Sequence, residues 1–312
     1  MNHAGTVIFF GNERLATGVT TTAPTLRALI AAGFKVLAVV SHYEQASSRT
    51  SRDLEIADVA KQHNIPVLLP HKPADIIDIL KGYSPEIGVL VAYGKIVPQS
   101  VIDIFPKGII NIHPSALPKH RGPTPLESVI LNGESSTAVS IMQLASTMDA
   151  GPVYIQENVN LTNSETKQEL ADTLLAIGSR LITELLPRTL AGSISPKPQN
   201  DADATFDTLI KKEDGCIDWT KPAEQIEREI RAYATWPKSY TQFNGLDVVV
   251  TKASVLENTN EKLELGVPYV TEDNMLAIAC GAKSLCIQKL KPAGKPEMDA
   301  SSFINGYRKY LD

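Results

Sequence analysis

The sequence predicts an α/β chain: a mostly parallel sheet flanked by helices, followed by a small antiparallel barrel domain of the OB type. Three observations carry this. Short β-rich runs alternate with helix-length segments through the first part of the chain, a stretch rich in Pro, Ser, Asn and Asp then breaks the pattern, and short strands dominate the remainder. At 312 residues the chain is long for one hydrophobic core, so one large and one smaller domain is the natural division.

Taken in order, the strand-like runs of the first part are 6–10, 35–41, 66–69, 87–92, 109–113 and 139–144. Between them, Pro24 opens a helix that Gly33 closes, with Leu26, Leu29 and Ile30 as its apolar stripe. Pro73 opens another, carrying Ile76, Ile77, Ile79 and Leu80. A long amphipathic helix is predicted over 166–190, because Leu170, Leu174, Leu175, Leu181, Ile182 and Leu185 share one face. The stretch from Gly192 to Ala204 has no periodicity and reads as a linker. This gives a first domain over 1–192, a linker over 193–206 and a C-terminal domain over 207–312. In the last, a helix over 222–233 precedes strands at 240–243 and 247–255, joined by Asn244-Gly245, a strong hairpin signal. Strands at 267–270, 275–279 and 284–290 complete a set that suits a small OB-type barrel.

Composition removes several classes. A net charge of -5 excludes a protein that is basic all over, so a nucleic-acid partner has to meet a local basic patch. Hydrophobic residues make up 43% and charged residues 21%, as in an ordinary globule, and no apolar run approaches a membrane span. The N-terminus lacks a basic flank and a small-residue cleavage site, so a cytoplasmic protein is expected, and we take it as a monomer. Cys216, Cys280 and Cys286 form no Cys-x-x-Cys pair and the six histidines lack ligand spacing, so no metal is expected.

The chemistry concentrates in Asn111-Ile-His-Pro-Ser-Ala-Leu-Pro-Lys-His-Arg-Gly122 and in Ser146-Thr-Met-Asp-Ala-Gly151. Asn111 and His113 are two apart at the end of an apolar strand and therefore share a face. Asp149 follows the run 137–145, just before Gly151, and the three polar groups are expected to converge where two strands finish. An amide, an imidazole and a carboxylate without a Ser or Cys nucleophile point to direct acyl transfer. If an amine attacks a formyl carbon, Asn111 and His113 can donate to the developing oxyanion while Asp149 accepts the amine proton. Taken singly, each residue has an ordinary explanation: a strand-end amide, a core histidine, a turn aspartate. Together they favour the site.

Weaker signals surround it. Gly11 to Gly18 comes after the first strand but lacks the spacing of a phosphate loop. Leu90 to Pro98, a strand running into a Tyr-Gly turn, fits either the wall of a flat aromatic pocket or an ordinary buried strand and turn. Lys289, Lys291 and Lys295 form a basic patch that can meet phosphates or simply be solvated charge.

These motifs resemble the active-site signature of the folate-dependent formyltransferases. Ile217-Asp-Trp219, Ile230 to Pro237 and Leu290 to Lys295 are similar to the C-terminal domain of the methionyl-tRNA branch of that family, and the likeness runs over essentially the whole chain. The resemblance implies a Rossmann-like formyltransferase domain joined to an OB-like domain. It implies transfer of a formyl group from 10-formyltetrahydrofolate, a cosubstrate, to the α-amine of initiator methionyl-tRNA. By motif position it assigns Asn111, His113 and Asp149 to catalysis. Leu90, Ala92, Tyr93 and Gly94, with Ser115, Ala116, Leu117 and Pro118, are assigned to the folate. For tRNA it offers Arg49 and Arg52 in a shortened loop over 41–53, beside Lys289, Lys291 and Lys295. Two departures stand out: Ser-Ala-Leu-Pro replaces Ser-Leu-Leu-Pro, and Gly11-Asn-Glu replaces the family's Gly-Thr-Pro turn. Formylation of a nucleotide-linked amino sugar, hydrolysis of formyl-folate and a non-catalytic folate- or RNA-binding module are the competing readings.

Overall fold

The computed structural model describes residues 5–42, 54–257 and 264–311. They form two compact units. The first comprises residues up to Leu126, Ser135–Leu161 and Gln168–Thr208; the second comprises Glu127–Glu134, Thr162–Lys167 and the chain from Leu209 onward.

In chain order the first part runs β1 (Thr6–Gly11), α1 (Pro24–Ala31), β2 (Lys35–Val40), α2 (Glu55–Gln62), β3 (Val67–Leu68), α3 (Ile77–Tyr83) and β4 (Ile87–Val91). It continues with α4 (Gln99–Ile102), β5 (Ile109–His113), α5 (Pro125–Leu131), β6 (Ser136–Gln143), β7 (Val153–Asn160) and α6 (Lys167–Leu190). The seven strands lie in the order β3-β2-β1-β4-β5-β6-β7. Pairs from β3 through β5 are parallel, and β6 and β7 are antiparallel. Every residue of β4 and β5 is buried, which is why β4 reads as an apolar run rather than an alternating one, while β5 adds the polar Asn111 and His113 to its buried isoleucines.

The chain winds outward from β1 to β3 and then returns to build β4 and β5 on the other side of β1. That reversal opens a crevice beyond the carboxyl ends of β1 and β4. Gly11, with φ +128°, sits at its base, where an added Cβ would fall 1.8 Å from the Val91 carbonyl oxygen. Only glycine allows the two strand ends to approach so closely.

β7 is a finding of the structure. From Ile155 onward its residues alternate between half-buried and exposed, as befits an edge strand, and Gln156 and Asn158 dilute its apolar signal. The stretch read as a linker does not hang free of the first unit. Lys197 and Val153 exchange both backbone hydrogen bonds at 2.8 Å, and Arg121 pairs with Thr205 and Asp207 at 2.9 and 2.8 Å.

The second unit contains α7 (Ala223–Ala232), β8 (Ser239–Phe243), β9 (Leu246–Leu256), β10 (Pro268–Val270), β11 (Leu276–Ala279), β12 (Ser284–Pro292), β13 (Met298–Asp299) and α8 (Ala300–Tyr307). The strands pair antiparallel in the order β10-β11-β12-β9-β8, with β13 beside β12, a sheet curled into a half-barrel. The hairpin forms at Asn244-Gly245 with φ of 43° and 82°, the left-handed pair that a two-residue turn requires. The core packs Ile226 and Ile230 of α7 and Phe303 and Ile304 of α8 against Val248, Val250, Leu285 and Ile287 of the sheet.

Candidate active site

Asn111 and His113 project from the same face of β5, as period-two spacing requires. Both residues are buried, at 6% and 5% exposure. The Asn111 carboxamide nevertheless has no hydrogen-bond partner among the described residues, so both its donors and its acceptor are available to a ligand.

Asp149 arrives by a route the sequence did not show. Because β6 runs against β5, its C-terminal end lies beside Ile110, whereas Ser140 faces His113. The expected convergence of two strand ends is therefore corrected: a loop over 144–152 carries the carboxylate back along β5. The loop is pinned at Gly151, where a Cβ would stand 1.9 Å from the Gln143 carbonyl oxygen. Asp149 itself is left-handed, with φ +49°, a conformation Asp tolerates better than most residues. Its Oδ2 accepts the Gly122 N–H at 2.9 Å, and its Oδ1 lies 3.7 Å from His113 Nδ1.

The imidazole is oriented from the opposite side. His113 Nε2 lies 2.9 Å from the His120 carbonyl oxygen. A carbonyl only accepts, so Nε2 carries the hydrogen, and Nδ1 carries one only in the imidazolium. An imidazolium would then present Nδ1–H to the Asp149 carboxylate. With both ring nitrogens facing protein oxygens, His113 can donate to an oxyanion only by releasing one of them. Asn111 is under no such constraint.

The other expected residues fall in two places. Ala92, with φ +50°, and Gly94, with φ +71°, line the turn after β4, where the Asn12 and Glu13 amides reach the Ala92 and Val91 carbonyls at 3.4 and 3.3 Å. Leu90 and Tyr93 point into the apolar core instead. The Tyr93 ring meets Phe10 edge-on at 5.7 Å, and burial pushes its phenol up to about 12. The turn of residues 115–118 ends on a buried cage. The Ser115 hydroxyl donates to the Lys119 carbonyl at 2.7 Å, and Ser140 Oγ donates to the Ser115 carbonyl at 2.6 Å. Gln156 Nε2 holds the Leu117 carbonyl at 3.0 Å. Ala116 and Pro118 are the half-buried members that face outward.

Lys289 and Lys291 are exposed on β12 of the second unit, and Lys295 is exposed in the turn beyond it. Lys252 of β9 stands directly opposite Lys289, a fourth basic group that sequence reasoning missed because only the β9–β12 register brings it there. Arg49 and Arg52 lie outside the described residues.

Several groups that shape the site carried no functional signal in the sequence. His120 supplies a carbonyl, and Gln199 comes from the stretch read as linker. Arg121 and Gly122 were visible as part of the motif, though their partners were not. Among the described residues no group of His, Cys, Asp and Glu is arranged to hold a metal ion, and no helix is long and apolar enough to cross a membrane.

Comparison with known proteins adds to this geometry. The family described as Formyl transferase matches residues 6–186, and that described as Formyl transferase, C-terminal domain, matches residues 209–308. The methionyl-tRNA formyltransferase of Chloroflexus aurantiacus is 37% identical over 306 residues, covering 96% of either chain. That of Pelobacter propionicus is 34% identical over 304 residues, covering 96% of this chain and 92% of its own. The crystal structure of the N-formyltransferase from Helicobacter canadensis, in complex with folinic acid and dTDP-3-aminofucose, superimposes with a TM-score of 0.65 at 17% identity. It covers 90% of this chain and 97% of its own, and is a likeness of fold.

Proposed function

The chain belongs to the methionyl-tRNA formyltransferase family and is a formyl-transferring enzyme, and on that premise we propose that it moves the formyl group of 10-formyltetrahydrofolate onto the α-amine of initiator methionyl-tRNA. The observation that carries the reading is the pairing of an unengaged carboxamide, Asn111, with a carboxylate oxygen, Asp149 Oδ1, left facing the imidazole of His113.

The reaction follows from the side chains. The amine nitrogen attacks the formyl carbon, a C–N bond forms, and the carbonyl electron pair moves to oxygen. Asn111 Nδ2 donates to that oxygen in a site shielded from water, where one such donor is worth about 2.7 to 4 kcal/mol. Asp149 takes the proton from the attacking nitrogen, directly or through one water, and His113 as imidazolium steadies the carboxylate and the nascent charge. Collapse of the tetrahedral species breaks the bond to N10 of the folate, which receives the proton as it leaves. The folate is consumed in each turnover. Its flat ring suits the crevice at the sheet reversal, bordered by Gly11, residues 92–94 and the turn over 115–118.

Charge favours a phosphate-rich acceptor. Lys252, Lys289, Lys291 and Lys295 form an exposed basic group on a chain whose net charge is -5. Like charges directly opposite on neighbouring strands weaken a sheet, so the Lys252–Lys289 pair suits a surface that meets phosphates. Arg49 and Arg52 extend the same reading. The test is to supply 10-formyltetrahydrofolate with charged initiator tRNA and, in parallel, with a nucleotide-linked amino sugar. Formylmethionine on the tRNA is the expected product; a formylated sugar without formylmethionine would overturn the acceptor assignment.

A further inference from the structure

From the segment after α6, we infer that Gln199 is a positioning residue for Asp149, holding the loop over 144–152 in register with His113. The inference rests on the proposed role of Asp149 as proton acceptor.

Gln199 Nε2 donates to the Asp149 carbonyl and to the Gly151 carbonyl, each at 2.7 Å. Its Oε1 accepts from Arg121 Nε at 3.1 Å and from Arg121 Nη2 at 2.8 Å. The partners dictate the amide's orientation, since the two carbonyls can only accept and the guanidinium can only donate. All the hydrogen-bonding capacity of one half-buried side chain is thus spent on the loop and on Arg121.

Arg121 is itself fixed. Its side chain is 4% exposed, and Nη2 reaches Asp201 Oδ1 at 2.7 Å. Its backbone pairs with Thr205 and Asp207, and the next residue, Gly122, donates its N–H to Asp149 Oδ2. Gln199 and Gly122 therefore grip Asp149 from its carbonyl and from its carboxylate, both through Arg121 or its neighbour. This grip is needed because Asp149 occupies a left-handed backbone conformation, which persists only where the surroundings determine it. Displacement by as little as 1 Å would remove Asp149 Oδ1 from the nucleophile's proton, and an error of that size is worth about a hundredfold in rate.

The most telling variant is Gln199→Glu, which keeps the shape and the acceptor for Arg121 but replaces two donors with a carboxylate turned toward two carbonyls. In the full-length protein we expect kcat to fall about 10- to 100-fold, with KM for 10-formyltetrahydrofolate changed by less than about twofold. Gln199→Ala should likewise lower kcat with KM little changed. A wild-type kcat in both variants would overturn the inference, as would a fall in melting temperature with unchanged kcat per folded molecule. Asp149→Asn, assayed alongside, separates the two levels. If it is inactive while both Gln199 variants turn over normally, only the positioning role fails; if Asp149→Asn itself turns over normally, the proton-acceptor role fails and takes the positioning role with it.

Discussion

Two carboxylates of the first unit, Glu13 and Asp149, share a backbone problem and solve it to different ends. Both residues are left-handed, with φ of 59° and 49°, and both accept backbone N–H groups. Glu13 spends both oxygens, on Thr25 N and Leu26 N at 2.8 Å each, and so caps α1, whose own N-cap residue, Ala23, has no side chain to offer. Asp149 spends one oxygen on Gly122 and leaves the other facing His113. Glu13 is 1% exposed, and burial, opposed by its hydrogen bonds, raises its carboxyl to about 7. A structural carboxylate is recognised here by its saturation, and a reactive one by the acceptor it keeps in reserve beside an imidazole.

The sharpest way to break this contrast is Asp149→Asn. The amide oxygen can still accept from Gly122, so the melting temperature should hold, while kcat falls about 10²- to 10⁴-fold, the usual worth of a general base. Turnover near that of the wild type would make Asp149 a second Glu13. Next in size is Asn111→Ala, for which steady-state kinetics should show a loss of about 10²- to 10³-fold in kcat with a normal unfolding curve.

Glu13→Gln should do the reverse, leaving kcat within a few-fold but costing about 1–3 kcal/mol in urea unfolding, because the amide nitrogen takes the place of one accepting oxygen and leaves one buried N–H unpaired. The pH dependence has a definite sign. The folded state binds the Glu13 proton more tightly than the unfolded chain, so the associated stability is complete below the ordinary Glu value of 4.5 and is lost as pH rises through about 7. Glutamine has no such proton, so the stability gap between wild type and variant should narrow from about pH 4.5 to about pH 8. A gap that widened with pH would show that the hydrogen bonds outweigh burial. The smallest effect is expected from Ser179→Ala, which removes the 2.9 Å contact between Ser179 Oγ and Thr25 Oγ1 behind the cap. A loss of about 1 kcal/mol without change in kcat would confine that region to stability.

Much of the architecture is legible in local pattern. Pro24 and Gly33 bracket α1, the leucine stripe of α6 is buried as its spacing requires, and Asn244-Gly245 turns the hairpin. Asn111 and His113 share a face because strand periodicity leaves no alternative. Strand direction is another matter: the apolar run of β6 reads the same forwards and backwards, so its antiparallel course, and with it the route of Asp149, could not be read from composition. The segment over 193–206 shows the same limit, since Pro, Ser and Asn give a linker's composition to residues that form backbone hydrogen bonds at Lys197 and Thr205.

By itself, then, the order of residues determined which segments are strand or helix, where the buried faces lie and which three side chains are proposed to carry the chemistry, because propensity and periodicity act between near neighbours. Only the folded chain decided that Glu13 caps a helix, that Lys252 stands across from Lys289, that a carbonyl of His120 sets the tautomer of His113, and that Gln199 holds the loop of Asp149. These are hydrogen bonds and registers between residues distant in sequence, chosen by how the strands pair and where the loops close, and no local pattern records them.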